Sequence, residues 1–96
     1  MVYAYVYILT NANKSTLYVG STTDLPQRIM QHRSHIKSRF AARYNLTRLV
    51  YFEEYGDIRE AIVRERQIKG RSHDYKISLV NAMNPTWKDL MPPEDE

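Results

Sequence analysis

One carboxylate of this 96-residue sequence falls where an apolar side chain is expected. Residues 57–70 have the apolar spacing of an amphipathic helix, and Glu65 falls on the apolar stripe between Ile62 and Ile68. A carboxylate on the inward face of a helix costs free energy unless it is paired or binds a cation. Glu65 is therefore either the partner of an arginine at the edge of the core or a ligand for a hard cation.

An arginine and a histidine break a second helical pattern in the same way. Over residues 24–37, His32 lies on the apolar stripe that begins at Leu25, and Arg28 precedes His32 by one turn. Both side chains then point the same way, which fits a core histidine beside an arginine that extends its charge to solvent. Together with an inward Glu65, the pattern also fits a polar site between the two helices and the sheet.

Two tyrosines and a glycine lie in strand-like segments near the start of the chain. Tyr7 and Tyr18 can share one face of a hairpin, depending on the register of its strands. The sequence has eight tyrosines and two phenylalanines, which favours phenolic hydroxyls used for hydrogen bonding over strand propensity alone. Gly20 stands at a strand end, where a missing side chain would let another backbone or a phosphate approach.

The composition excludes several other kinds of site. The chain has no cysteine, so a disulfide framework, a thiolate zinc site and a cysteine nucleophile are all excluded. Its three glycines cannot build a phosphate-cradling loop, and its serines lack the base and acid of a triad. A transition-metal site at His32 and His35 has no evident third ligand.

The positive charge is concentrated in one stretch of the chain. The net charge is +3, but residues 25–52 contain six bases and no acid. Five of the six are arginine, the better donor to phosphate, so the stretch favours a nucleic-acid partner over a merely solvated helix face. These bases are Arg28, Arg33, Lys37, Arg39, Arg43 and Arg48.

The predicted elements that position these residues form an α+β domain. Alternating apolar residues predict strands at 2–9, 17–21 and 49–55, the first two joined as a hairpin. Asp24, Asp57 and Ser72 are the predicted N-caps of three helices, which end near Lys37, at Gly70 and before Asn84, with a further helical turn within 39–45. We expect one domain over residues 1–90 and a disordered acidic tail over residues 91–96.

These motifs, in this order, resemble the GIY-YIG nuclease domain. The matching segments are VYI at residues 6–8, LYVG at 17–20, DLPQR at 24–28 with His32, and EAIVRE at 60–65. The segment NPTWKDL at 84–90 resembles the ending of a small stand-alone bacterial subgroup, which is similar to the nuclease domain of the bacterial excision-repair incision enzyme. Val6 replaces the glycine that opens the first motif, and Ser21 stands where a basic residue often follows the second.

The resemblance implies a three-stranded antiparallel sheet flanked by helices and hydrolysis of nucleic-acid phosphodiesters with one divalent metal, Mg²⁺ or Mn²⁺. It implies that Glu65 binds the metal. The other catalytic positions that it implies are Tyr7, Tyr18, Arg28 and His32, with the general base undecided among the two tyrosines and the histidine. Together with the basic stretch, it gives Gly20, Arg33, Lys37, Arg39 and Arg43 as nucleic-acid contacts.

The leading hypothesis is a metal-dependent endonuclease that acts on DNA, in repair or recombination. A nucleic-acid-binding module with little or no catalysis is the alternative, and a structural scaffold with a buried salt-bridge network is the third. The apolar runs are too short to span a membrane, and the sequence opens in a strand pattern without a signal core. We therefore expect a soluble protein of the cytoplasm.

Overall fold

The first strand, β1 (Ala4–Thr10), is the centre of the sheet. In the computed structural model, which describes residues 1–34 and 43–91, β1 pairs antiparallel with β2 (Leu17–Thr22) on one side and with β3 (Arg48–Tyr55) on the other. The strand order is β2-β1-β3, so β2 and β3 form the two edges. The predicted three-stranded antiparallel sheet is confirmed, with strand bounds within two residues of those expected.

Three helices cover the sheet: α1 (Leu25–Arg33), α2 (Ile58–Lys69) and α3 (His73–Met83). The side chain of each predicted N-cap residue accepts a backbone N–H of the first turn, which satisfies a donor that would otherwise lack an intrahelical partner. These residues are Asp24, Asp57 and Ser72. Pro26 lies in the first turn of α1, where its missing N–H removes no helical hydrogen bond. No helix of the described ranges is long and apolar enough to cross a membrane.

The two faces of the sheet carry separate apolar clusters, because neighbouring residues of a strand point to opposite faces. On one face, Val6 and Ile8 of β1 pack with Ala61 of α2, and the cluster extends to α3. On the other face, Tyr7 packs with Ile29 of α1. Helices α1 and α2 therefore lie on opposite faces of the sheet, so the sheet separates the two helices between which a polar site was expected.

The segment after α3 returns to β3 and to the end of α1. The Asn84 side chain donates to the backbone oxygen of Val50, and Asp89 forms an ion pair with Arg33 at 2.6 Å. Met91 packs against the core, and its backbone oxygen accepts from Arg33. Residues 92–96, which make up all of the predicted tail except Met91, lie outside the described residues.

The prediction for the end of α1 is tested only in part. The helix ends at Arg33, and the backbone N–H of Ser34 donates to carbonyl oxygens of the last turn. The predicted continuation to Lys37, and most of the helical turn predicted within 39–45, fall outside the described residues.

Candidate active site

Tyr7 reaches the edge of the sheet because its partner on β2 has no side chain. Tyr7 lies directly opposite Gly20 in the β1–β2 pair. A Cβ atom on Gly20 would lie 2.6 Å from Cζ of Tyr7 and closer still to its hydroxyl. Real Cβ atoms do not approach other atoms so closely, so glycine is required for the phenol ring to cross β2. We expected this space to admit another backbone or a phosphate, but the Tyr7 ring fills it.

Three rings meet on the α1 face of the sheet. The Tyr7 hydroxyl lies 3.1 Å from Nε2 of His32, and both residues are almost fully buried. The Tyr18 ring is tilted against Tyr7 at a centroid distance of 6.4 Å and meets the His32 ring edge-on at 5.2 Å. The hairpin register therefore places the two tyrosines on one face, and α1 supplies the histidine that joins them.

The Tyr7 phenol is held in its protonated form. Burial is the main cause that raises the pKa of Tyr7 to about 12, and the nearby Tyr18 and Glu65 add to the shift. Arg28 opposes it through a hydrogen bond and its charge. A buried phenolate is costly because it loses hydration, so at neutral pH the hydroxyl of Tyr7 can donate to the ring nitrogen of His32.

Arg28 lies at the edge of this ring cluster. Its Nη1 atom donates to the backbone oxygen of Ser21 at 3.2 Å, which ties the guanidinium to the end of β2. The side chain is half-buried and lies one turn before His32 on α1, as the helical spacing predicts. The guanidinium is therefore fixed beside Tyr7 with part of its surface facing solvent.

Glu65 reaches the same edge strand from the opposite face of the sheet. Ser21 lies opposite Val6 in the sheet, so its side chain points toward α2, and its hydroxyl donates to Oε1 of Glu65. Oε2 of Glu65 lies 2.6 Å from Nζ of Lys69, one turn later on α2. The groups of the site therefore lie on both faces of the sheet at the end of β2. The three rings and the guanidinium of Arg28 lie on the α1 face, and the carboxylate of Glu65 lies on the α2 face.

Ser21 joins the two halves of the site, although its role was not predicted. Its backbone oxygen accepts from Arg28 and its hydroxyl donates to Glu65. In the sequence, Ser21 stood out only as a replacement for a basic residue. The available signal was strand alternation, because the residue after Gly20 must point to the face opposite Tyr7.

The residues predicted to contact nucleic acid differ in their surroundings. Arg33 donates to the backbone oxygen of Thr47 and pairs with Asp89, and its side chain is only 22% exposed. It therefore anchors the segment after α3 through Nε and Nη2. Arg43 is exposed and lies 5.6 Å from the centre of the Tyr44 ring. Two further predicted contacts, Lys37 and Arg39, fall outside the described residues, and Gly20 lies beneath the Tyr7 ring.

The donors around Glu65 fit a hard divalent cation held by few protein ligands. Within residues 1–34 and 43–91, no three His, Cys, Asp or Glu side chains form a metal-binding group. Mg²⁺ often binds through one or two carboxylates, substrate phosphates and several waters, so one carboxylate is compatible with it. The side chain of Glu65 is 17% exposed, and its Oε2 already has one cationic partner, the ammonium of Lys69.

Comparison with known proteins gives one family. The family model described as the GIY-YIG catalytic domain matches residues 3–78. The UPF0213 protein CPE1444 of Clostridium perfringens is 36% identical over 78 residues, which cover 81% of this chain and 83% of that protein. The UPF0213 protein DP2720 of Desulfotalea psychrophila is 43% identical over 82 residues, covering 81% of this chain and 71% of that protein.

A solved structure has the same fold. The solution NMR structure of the UPF0213 protein BH0048 from Bacillus halodurans is similar to this chain with a TM-score of 0.56 and 29% sequence identity. The match covers 90% of each chain. The sheet and the helices that surround the candidate site are therefore shared with an experimentally determined relative.

Proposed function

The chain belongs to the GIY-YIG family of nuclease domains, and from this premise we propose that it is a metal-dependent endonuclease that hydrolyses DNA. The observation that carries the proposal is the meeting of a phenol, an imidazole, a guanidinium and a carboxylate around the end of β2. The groups belong to Tyr7, His32, Arg28 and Glu65. A role in repair or recombination is part of the proposal.

Arg28 would bind the scissile phosphate. Its guanidinium donates to the Ser21 backbone oxygen and hydrogen-bonds the Tyr7 hydroxyl, which together engage only part of the five N–H donors of the planar fork. A fixed positive donor beside the reacting phosphate stabilises the charge that develops there, with no reorganisation at the moment of reaction.

Glu65 would hold the divalent cation, Mg²⁺ or Mn²⁺. Its Oε1 atom stays oriented by the Ser21 hydroxyl, while Oε2 faces the cation position now taken by Lys69. A bound divalent cation would neutralise charge on the phosphate and on the leaving oxygen. The chain contributes the orientation of the carboxylate and its position across β2 from Arg28.

Tyr7 and His32 would remove the proton of the attacking water as a pair. A phenol with a pKa of about 12 is a poor base by itself near neutral pH. Its hydroxyl lies 3.1 Å from Nε2 of His32, a ring nitrogen that can accept a proton. As Tyr7 accepts a proton from water, its own proton can pass to His32, so no free phenolate forms. Tyr18, which is less buried, would support this pair from the adjacent ring position.

The proposal is tested by incubating the protein with single-stranded, duplex and branched DNA and with RNA of the same sequence. Each substrate is tested with Mg²⁺, with Mn²⁺ and with EDTA, and Glu65→Gln protein purified in parallel controls for contaminating nucleases. We expect internal cleavage of DNA that requires metal and is absent from the control. Preference for the branched substrates would support repair or recombination.

Three results would contradict the proposal in different ways. Binding of DNA without cleavage under any metal condition would favour the nucleic-acid-binding module. Cleavage that persists in EDTA would overturn the metal requirement while leaving the nuclease. Cleavage of RNA alone would overturn DNA as the substrate.

A further inference from the structure

We propose that Lys69 is an internal counter-ion that occupies the cation position beside Glu65 and must leave it before a divalent metal binds. Lys69 would then set the metal affinity of the site. The inference rests on the proposed function, because it takes Glu65 as the metal ligand. The observation that carries it is the 2.6 Å contact between Nζ of Lys69 and Oε2 of Glu65.

The two oxygens of Glu65 have different partners. Oε1 accepts from the Ser21 hydroxyl, a short side chain fixed by the pairing of β2 with β1. Oε2 has the ammonium of Lys69, a long side chain that is 50% exposed. A cation that approaches from solvent therefore competes with Lys69 for Oε2, and the Ser21 contact can remain in place.

The Lys69 contact is weak enough to be displaced. Helical pairs of opposite charge four residues apart are worth only a few tenths of a kcal/mol, because solvent screens them and the lysine loses rotamer freedom. After displacement, the ammonium of Lys69 nevertheless remains one helical turn from Glu65, where it repels a bound divalent cation. Competition and repulsion act in the same direction, so both lower the metal affinity of the wild type.

Removing the ammonium should therefore tighten metal binding. We expect Lys69→Met, which keeps much of the side-chain length, to lower the dissociation constant for Mn²⁺ by about threefold to tenfold. Lys69→Arg keeps the charge and should stay within about twofold of the wild type. Tighter Mn²⁺ binding is not what loss of a supporting salt bridge would give. If the Lys69–Glu65 contact helped to build the metal site, removing it would weaken Mn²⁺ binding.

The measurement is a titration of the whole protein with Mn²⁺, followed by the electron paramagnetic resonance signal of free Mn²⁺, near neutral pH and without nucleic acid. Lys14→Met is the matched control because it removes one positive charge from an exposed turn at the other end of β2 from Ser21. Melting curves without metal establish that each variant is folded at the titration temperature.

The outcomes separate this inference from the proposed function. Tighter binding by Lys69→Met, with Lys14→Met and Lys69→Arg near the wild type, supports it. Unchanged or weaker binding by Lys69→Met overturns it. Glu65→Gln tests the metal site itself: if this variant binds Mn²⁺ as the wild type does, or if no variant binds, Glu65 is not the ligand. Loss of binding in Glu65→Gln with no change in Lys69→Met would overturn the role of Lys69 alone.

Discussion

Two carboxylates lie at opposite edges of the sheet and are equally buried, yet their surroundings differ. The side chain of Glu53 on β3 is 18% exposed and that of Glu65 on α2 is 17% exposed. Glu53 accepts hydrogen bonds from the hydroxyls of Tyr51 and Tyr55 and from two nitrogens of Arg64. Glu65 has one hydroxyl and one half-exposed ammonium.

Glu53 and Glu65 differ in the number and kind of their hydrogen-bond and ion-pair partners, and not in their burial. Burial raises the pKa of Glu53, but the hydrogen bonds of Arg64 and the two tyrosines outweigh it and lower the pKa overall. A carboxylate whose lone pairs are filled by fixed donors stabilises the fold and has no room for a ligand. Glu65, whose second partner is a flexible lysine, can exchange that partner for another cation.

The first prediction tests whether Glu65, unlike Glu53, serves catalysis more than stability. Glu65→Gln should lower the rate of DNA cleavage at least about 100-fold, because the neutral amide cannot hold the cation that offsets charge at the phosphate. The free energy of unfolding without metal should hold or rise, since the substitution removes an inward carboxylate and leaves Lys69 half-exposed in water. Single-turnover cleavage and urea denaturation check the two effects. Early melting with normal cleavage per folded molecule would identify Glu65 as a structural carboxylate.

The second prediction concerns the crossing of β2 by Tyr7. Gly20→Ala adds a methyl group where the Tyr7 ring lies, so the ring must move or the strand must shift. We expect cleavage to fall about 10-fold to 100-fold, because a displacement near ~1 Å at reacting groups is enough for such a loss. Stability should fall by about 1–3 kcal/mol from overpacking. Gly56→Ala is the matched control, since its Cβ would meet only ordinary contacts, and equal loss in both variants would contradict the role of Gly20.

The third prediction is the counterpart of the first. Glu53→Gln should lower the free energy of unfolding by about 1–3 kcal/mol, because it leaves Arg64 without its charge partner in a partly buried position. Cleavage per folded molecule should stay within about twofold of the wild type, as the residue lies at the β3 edge. Urea denaturation and an active-site-normalised assay measure both. A large loss of cleavage at unchanged stability would extend the site to β3 and remove the contrast with Glu65.

The sequence predicted which side chains point inward but not where they meet. Helical spacing placed His32 and Glu65 on inward stripes, and both are indeed turned toward the sheet. Periodicity fixes the inward side of a helix and says nothing about which sheet face the helix covers. The site was therefore expected between two helices, whereas the structure builds it around an edge strand.

The sequence also could not predict contacts between side chains that are distant in the chain. Asp89 pairs with Arg33 across 56 residues of sequence, and no local pattern predicts such a contact. An arginine was considered as the ion-pair partner of Glu65, but that partner is Lys69, whereas the neighbouring Arg64 pairs with Glu53. The contact of Lys69 with Glu65 was predictable, because residues four apart on a helix are neighbours.

The last prediction, which has the smallest expected effect, concerns the hydrogen bond from Tyr55 to Glu53. The stability that this bond contributes should depend on pH. Burial first, and then the Glu53 carboxylate, raise the pKa of Tyr55 to about 12, whereas an unfolded tyrosine ionises near pH ~10. The unfolded chain therefore loses this proton first. The stability that the hydroxyl contributes is fully present below pH ~10 and is lost as the pH rises through about 12.

Tyr55→Phe removes both the hydrogen bond to Glu53 at 2.7 Å and its titration. We expect the variant to be less stable than the wild type by about 0.5–1.5 kcal/mol at pH ~8, and this difference in stability should narrow at pH ~11. Urea denaturation at the two pH values measures it. Tyr3→Phe, at a tyrosine that is 58% exposed, is the control and should show no narrowing. A gap that stays constant or widens with pH would mean that the Tyr55 hydroxyl does not stabilise Glu53 through its proton, and the β3 carboxylate would then be less completely satisfied than its contacts indicate.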